Sequence, residues 1–491
     1  MKIKDFLEVD DSMKLEIAEI LNSRREEYTS VELLVELLGI SKFKVTKYIQ
    51  ELSEDMADEY EILEIKSFSQ GELNDLYVSE TTIRRLRLMY IQKSKIFLLF
   101  NEMLYGRVSL GQFSNKYYVS RSKTNVLRNQ LMKLLKNYSI TIKDGMFVGN
   151  EEQLRKVAFE VYYFYFNGTQ VPFSEKVIEL KNKLKKELEK LIDLDLVLTK
   201  KIKVDLFLSI LSIRISRKNF LIDQPSILLD DSLSEKYDSK KEEFSEILLS
   251  ISGGELRKEA LNELDSIFLF LVSEECLSLK NKFIVKKTND EIKKMSDQLV
   301  KETFSEIIFN DTVTNEKKIK LKKKLTHSFI MIHFQRYYSF HAVLTFNTDQ
   351  QIAYFKEAYP QFHKLVSKFL KMNELKKRIH LDVSDEAGLY YDYMFALISC
   401  IPLSLLNDKI YICVDFSRGD NYTEYISENI RAFKHLNVVI QQKIDNDTQL
   451  FVSDFMIVNN RLEQIIWKNP PTDDDWAVLG DAIVSAKGGQ L

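Results

Sequence analysis

The sequence predicts a mostly α-helical, multidomain protein that closes on a small α/β domain. Three observations predict it. Glycine (14) and proline (6) are scarce among 491 residues, so few connections can adopt the left-handed or tight conformations that glycine serves. Apolar residues recur at helical spacing from near the start of the chain to about residue 400. Beyond 405 the pattern changes to short apolar strands alternating with amphipathic segments, as in a parallel sheet covered by helices. At about 100–200 residues per domain, the length corresponds to roughly three to five domains.

The first element is MKLEIAEILN (13–22), with Leu15, Ile17, Ile20 and Leu21 at helical spacing. In YTSVELLVELLGISKFKVTKYIQEL (28–52), Ser30 can cap a helix. Gly39 can end that helix in a left-handed conformation, and Ser41 can cap the next. A short helix, a turn with glycine and a second helix form a helix-turn-helix. YEILEIKSFS (60–69), Gly71 and DLYVS read as a hairpin, or wing. The same grammar then recurs. A helix over 80–104 precedes a short helix in SLGQFSNKYY (109–118). A long helix capped by Ser120 runs through 119–138. ITIKDGMFVGN (140–150) is a hairpin around Asp144-Gly145.

From about 170 to 400 the chain reads as amphipathic helices joined by polar linkers, among them 221–244 and 285–294. KVDLFLSILSIRISRKNF (203–220) is similar to KLTHSFIMIHFQRYYSF (324–340), and IFLFLVSEECLSL (267–279) to YMFALISCIPLSL (393–405). Arg214 lies nine residues after Asp205, and Arg336 nine after His327. Two copies of one helical domain account for this most simply. Chance similarity among helices rich in Leu and Ile is the alternative. After 405, KIYICVDF (409–416), NVVIQQKI (437–444) and DFMIVNN (454–460) read as strands. YTEYISENIRAFKHL (422–436) and DDDWAVLGDAIVSA (473–486) read as helices.

The net charge of −3 hides an asymmetry. Residues 1–79 hold nine Lys/Arg and nineteen Asp/Glu, a net of −10; residues 80–136 hold twelve and two, a net of +10. A local basic patch, and not whole-chain charge, marks contact with nucleic-acid phosphates. A merely solvated helix face is the competing explanation. In helix-turn-helix units the second helix enters the major groove of double-stranded DNA with its N-terminal residues at the base edges. In the second unit those residues are Ser120, Arg121, Ser122, Lys123, Thr124, Asn125, Arg128 and Asn129. Arg pairs with guanine and Asn with adenine. The matching residues of the first unit include Lys42, Lys44 and Lys47, set in an acidic domain that predicts a smaller contribution.

Other chemistry is not visible. HExxH, CxxC, GxGxxG, GxxxxGK[ST] and GxSxG do not occur, so the expectation is a protein that is not an enzyme and needs no cofactor or metal. Cys276, Cys400 and Cys413 are far apart in apolar surroundings, which predicts buried reduced thiols. No secretory signal and no run of 18 apolar residues is evident, which predicts a cytoplasmic protein without a membrane partner. The six histidines are His327, His333, His341, His363, His380 and His435. A six-residue spacing places His327 and His333 poorly for a shared metal.

The order of these parts resembles the Mga/AtxA/RofA-like family of virulence regulators of Gram-positive bacteria. The local support is VSLGQFSNKYYVSRSKTNVLRNQLMKLLKNYSITIKDGMFVGNEEQLR (108–155), which looks like the Mga-type helix-turn-helix and wing, with Gly-Asn-Glu followed by Leu-Arg. The middle is similar to two phosphotransferase-regulation domains (PRDs), and YFKEAYPQFHKLV (354–366) to their Phe…Tyr-Pro segment. The end is similar to the IIB component of sugar phosphotransferase enzymes. The resemblance implies winged helix-turn-helix units over 1–78 and 79–168, helical PRD-like domains over 169–284 and 285–404, and an IIB-like α/β domain over 405–491. It implies a homodimeric DNA-binding transcription activator modulated by histidine phosphorylation from phosphotransferase-system phosphocarrier proteins. His327 occupies the position of the first PRD histidine; the first copy has Asp205 there. No histidine falls near Ala396 to Ser399, where the second would lie. The IIB phosphocysteine would fall near Ser417-Arg418-Gly419 and is missing, so that domain is expected to serve in dimerisation or docking. The alternative is a scaffold or interaction protein of the phosphotransferase system that does not bind DNA.

Overall fold

The computed structural model describes residues 3–24, 29–57, 78–167, 169, 171–191, 194, 196–222, 227–229, 244–251, 257–276, 283–285, 289–338, 349–372, 386–433, 436–458, 462–467 and 470–488. The hairpin expected over 60–77 lies outside them, as do His341, His380 and His435. The chain divides into two compact units, one built from residues 1–287 and 338–341, the other from 288–337 and 342–491. Helices dominate both, and the parallel sheet is confined to the C-terminal end.

The first unit opens with α1 (Val9–Ser23), α2 (Val31–Leu38) and α3 (Lys42–Ala57). Ser30 caps α2 by accepting from Leu33 N at 3.2 Å, and Gly39 ends it at φ 64°. Next come α4 (Glu80–Lys93) and α5 (Lys95–Leu104). The sequence predicts one helix here; the structure breaks it at Ser94. That residue is fully buried, donates to Phe6 O at 2.6 Å and caps α5 through Phe97 N. Its hydroxyl thus caps the first turn of α5 and at the same time ties the break to the N-terminal segment at Phe6.

Then follow α6 (Leu110–Lys116), α7 (Arg121–Leu135) and the hairpin β1 (Ile140–Lys143)–β2 (Met146–Gly149). Asp144 and Gly145 both have positive φ, 50° and 74°, the signature of the tight hairpin turn that the Asp-Gly pair predicts. A Cβ on Gly145 would lie 2.2 Å from Val108 O. Gly39 shares the positive φ, but nothing stands within 4 Å of its Cβ position. Gly145→Ala, which adds a backbone clash to the left-handed penalty, is therefore expected to cost about 3 kcal/mol, and Gly39→Ala about 1–2 kcal/mol. Thermal melts of the two variants check the order.

The first unit continues with α8 (Glu151–Phe166), α9 (Glu175–Leu191), α10 (Leu198–Ile215) and α11 (Arg257–Ser273). Two segments within the expected polar linkers are ordered differently. A strand β3 (Ile227–Leu229) pairs antiparallel with β4 (Phe283–Val285), and residues 289–294 begin a helix. The apolar triplets ILL and FIV gain ladder bonds that a free linker cannot offer.

The second unit holds α12 (Asn289–Glu306), α13 (Asn315–Tyr338), α14 (Asp349–Ala358), α15 (Pro360–Leu370) and α16 (Glu386–Cys400). Phe329, Leu365, Phe369, Leu389, Tyr393 and Leu397 are among the residues of its core. His333 sits fully buried in this packing, bonded to Ser296 Oγ at 2.8 Å and Tyr393 Oη at 2.7 Å. Burial holds its pKa down at about 3, so it is a neutral packing residue.

The α/β portion comprises β5 (Ile410–Val414), α17 (Asp420–Ala432), β6 (Val438–Gln441), β7 (Leu450–Ser453), β8 (Glu463–Ile466) and α18 (Asp473–Gly488). The strands are parallel, in the order β6-β5-β7-β8. The strand expected over 454–460 lies instead at 450–453, where all four residues are buried; β8 was not foreseen. The more apolar run, FMIV, follows the strand end and leaves Met456 and Val458 exposed. A central strand with both faces covered needs burial on each side, and the shorter LFVS segment obtains it.

Candidate nucleic-acid interface

The second helix-turn-helix is built from α5 to α7. Leu127, Leu131 and Leu135 recur at helical spacing on α7 and are fully buried. α7 packs on α5 and α6. Tyr118, in the turn before α7, has φ 53° and is 97% exposed. Val119 N bonds back to Ser114 O at 3.0 Å, closing the turn. Ser120 caps α7 by accepting from Lys123 N at 3.1 Å.

With one face of α7 buried, its 3.6-residue period decides what faces out. Ser122, Asn125, Asn129 and Lys133 are exposed opposite the leucines. Arg121 is exposed on the first turn; Arg128 lies on the same flank, half-buried, and bonds Asn129 Oδ1 at 3.4 Å. Lys123 lies on the other flank, 3.8 Å from the Glu8 carboxylate. Thr124 departs from the sequence expectation. It is fully buried, its hydroxyl 2.9 Å from Ser114 Oγ and 3.1 Å from Ser120 O. It joins α6 to α7 and is not on the outward face, because its position coincides with the leucine stripe.

The basic excess of 80–136 is partly spent inside the unit. Arg87 pairs with Glu19 at 2.9 Å, Lys93 with Asp11 at 3.3 Å and Lys116 with Glu102 at 2.6 Å. Among the described residues no ion pair is seen at Arg121, Lys133, Lys136 or Lys143, all exposed. Lys133, Lys136 and Lys143, with Tyr118, extend the outward face beyond the positions singled out in the sequence, of which Arg121 is one. The hint for Lys143 was its place beside a hairpin turn; nothing in the sequence pointed to Tyr118.

In the first unit's earlier pair of helices, Lys42, Lys44 and Lys47 are exposed at the start of α3. Lys42 pairs with Glu32 at 2.7 Å and Lys47 with Glu51 at 3.5 Å. Lys42 accordingly holds the Glu32 carboxyl below its ordinary pKa. Phe43 between them is 79% exposed. This face has fewer cations to offer than α7.

The segment after the hairpin ties this module to the helical domain behind it. Asn150 caps α8 through Gln153 N at 3.0 Å. Glu151, the next residue, accepts from Arg155 Nε at 2.9 Å and from Arg214 Nε and Nη2 at 2.9 and 2.8 Å. Arg155 also holds Glu263 with Nη1 and Nη2, at 2.5 and 2.8 Å. Arg214 donates to Leu104 O at 3.0 Å. Burial alone would push Arg155 down; Glu263 and Glu151 outweigh it and hold the pKa above the ordinary arginine value. The Gly-Asn-Glu and Leu-Arg letters thus correspond to a hairpin exit, a helix cap and a buried ionic network.

His327 is exposed on α13. Among the described residues no group of three or more His, Cys, Asp or Glu is placed to hold a metal ion, and no helix is long and apolar enough to cross a membrane. The cysteines are free and buried.

A short helix, a tight turn and a capped second helix with an exposed basic and amide-bearing N-terminal face, followed by a hairpin, define a helix-turn-helix module of the DNA-binding regulator class. Residues 79–166 match the family model of the Mga helix-turn-helix domain. The chain therefore carries an Mga-type helix-turn-helix and is similar to the Mga-like regulators in that segment. No curated protein sequence matches the chain.

Proposed function

We propose that this protein is a transcription regulator in which α7 is the recognition helix and β1–β2 is its wing. The observation that carries the reading is the outward face of α7, where Arg121, Ser122, Asn125 and Asn129 stand together without an acidic neighbour on the helix. Arg and Asn can each form paired hydrogen bonds to base edges, while Lys133, Lys136 and Lys143 suit phosphates. The test is binding of the full chain to duplex DNA as a function of salt. Affinity is expected to fall steeply with salt, and Lys143→Ala to lower the log–log slope by about 0.9 for the lost phosphate contact. Salt-independent binding, or none, would favour the scaffold reading.

The domain limits at 168, 284 and 404, with PRD-like helical domains and an IIB-like end, complete this reading. The last domain is proposed to dimerise or dock and not to carry phosphate. Cys413 lies inside β5, and burial pushes its thiol up to about 11. In the following loop Ser417 N donates to Asp454 Oδ1 at 2.9 Å and Ser417 Oγ donates to Oδ2, so both donors are already engaged by a carboxylate. Met456, Val458 and Val478 are exposed apolar residues on this domain. Truncation at about residue 404 is expected to reduce the dimer fraction; an unchanged oligomeric mass by light scattering would sink the idea.

His327 is the proposed phosphorylation site, served by phosphotransferase-system phosphocarriers. Lys323 and Lys324 lie one helical turn before it, within reach of an added phosphate. In the first copy the same position holds Asp205, a permanent negative charge paired with Lys185 at 2.7 Å. His327→Asp and His327→Ala are expected to shift reporter activity in opposite directions at equal protein abundance. Equal activity would leave His327 a surface residue.

A further inference from the structure

A pocket of about 390 Å³ lies within the first unit, among α8, α9, α10 and the segment joining the first two. Tyr162, Phe166, Phe173 and Leu206 form apolar walls, and Lys181 and Asp205 are its charged lining residues. We propose that it binds a small organic monocarboxylate with an aromatic or branched apolar body.

The volume is that of a small-molecule site, and such sites combine apolar walls with few polar groups. The walls are held in place before any ligand arrives. The Tyr162 hydroxyl donates to Asn101 Oδ1, and its ring stands 4.8 Å from that of Phe173. The charge arrangement selects the ligand's sign. Lys185 takes Asp205 Oδ1 at 2.7 Å, whereas Lys181 stands 3.7 Å from Oδ2, beyond hydrogen-bond reach. Both lysine side chains are about 15% exposed or less. Two partly buried lysine side chains thus flank one carboxylate, and Lys181 has donors to give to a second. A cationic ligand would meet Lys181, with the one lining carboxylate, Asp205, already engaged by Lys185. A sugar phosphate would set its many hydroxyls against walls with few polar partners.

The ligand would lie against the C-terminal half of α8, whose N-terminal two turns hold Glu151 and Arg155. The site is therefore one helix away from the hairpin, which makes it suited to an effector.

The test is calorimetric titration of the full chain with phenylacetate, phenylbutyrate and isovalerate, each beside its alcohol and amine analogues. Saturable binding of at least one carboxylate is expected, with the matching alcohol about tenfold weaker and the amine weaker still. Lys181→Gln should lower carboxylate affinity about tenfold. Val171→Trp, which fills the pocket from its lining, should abolish binding. No saturable carboxylate binding, an alcohol as tight as its acid, or wild-type affinity in both variants overturns the proposal. No DNA is in the cell, so the result stands apart from the DNA-binding reading.

Discussion

Glu263→Ala is expected to destabilise the first unit by about 3–5 kcal/mol. Glu263 is fully buried and accepts from Arg155 Nη1 and Nη2 and from Leu221 N. Its removal leaves a buried guanidinium with Glu151 as its one remaining carboxylate, and Leu221 N without its acceptor. The cost of an unpaired buried charge exceeds the net value of the pair itself. Hence the double variant Arg155→Met, Glu263→Leu should recover most of the lost stability, since it removes both charges and keeps the volume. Chemical denaturation of the three proteins checks this. A single variant within about 1 kcal/mol of wild type would show that the pair is not desolvated in solution. Because Glu151 also holds Arg214, loss of Glu263 should loosen α8 against α10 as well as α11.

The second large effect concerns α7. Arg121→Ala and Asn125→Ala are each expected to weaken specific DNA binding by about 1–3 kcal/mol, with little change in folding because both side chains are exposed. Lys42→Ala and Lys44→Ala should matter less. Thr124→Val should behave in the opposite sense, lowering stability through the lost Ser114 contact before it affects DNA. Binding isotherms and thermal melts on the same samples separate the two classes. A Lys42 or Lys44 effect larger than that of Arg121 would reverse the ranking of the two helix-turn-helix pairs.

Much of the first unit was legible because local chemistry and tertiary need agree there. Ser30, Gly39, Ser120 and Asp144-Gly145 each specify a cap or turn within four residues, and each is found in that role. Ser94 was missed because it reads as one polar residue within a helical pattern. Its partner Phe6 O is 88 positions away, so no local pattern contains the signal. The strand at 450–453 was missed for a related reason. Hydrophobicity favoured 454–460, but which apolar run enters the sheet depends on its register with β5 and β8.

Side-chain period and backbone preference over short spans are enough for the helical class, the caps and turns of the second helix-turn-helix, and the parallel α/β end. Which cations face outward depends on long-range packing. The charge count placed +10 on residues 80–136, yet Arg87 and Lys93 face the acidic Glu19 and Asp11 of α1, and Lys123 approaches Glu8 just before it. Part of the asymmetry between the two segments is thus complementarity within one unit. Charges 68 or more residues apart in sequence neutralise one another only when packing brings them within about 4 Å, and that is information no local pattern holds.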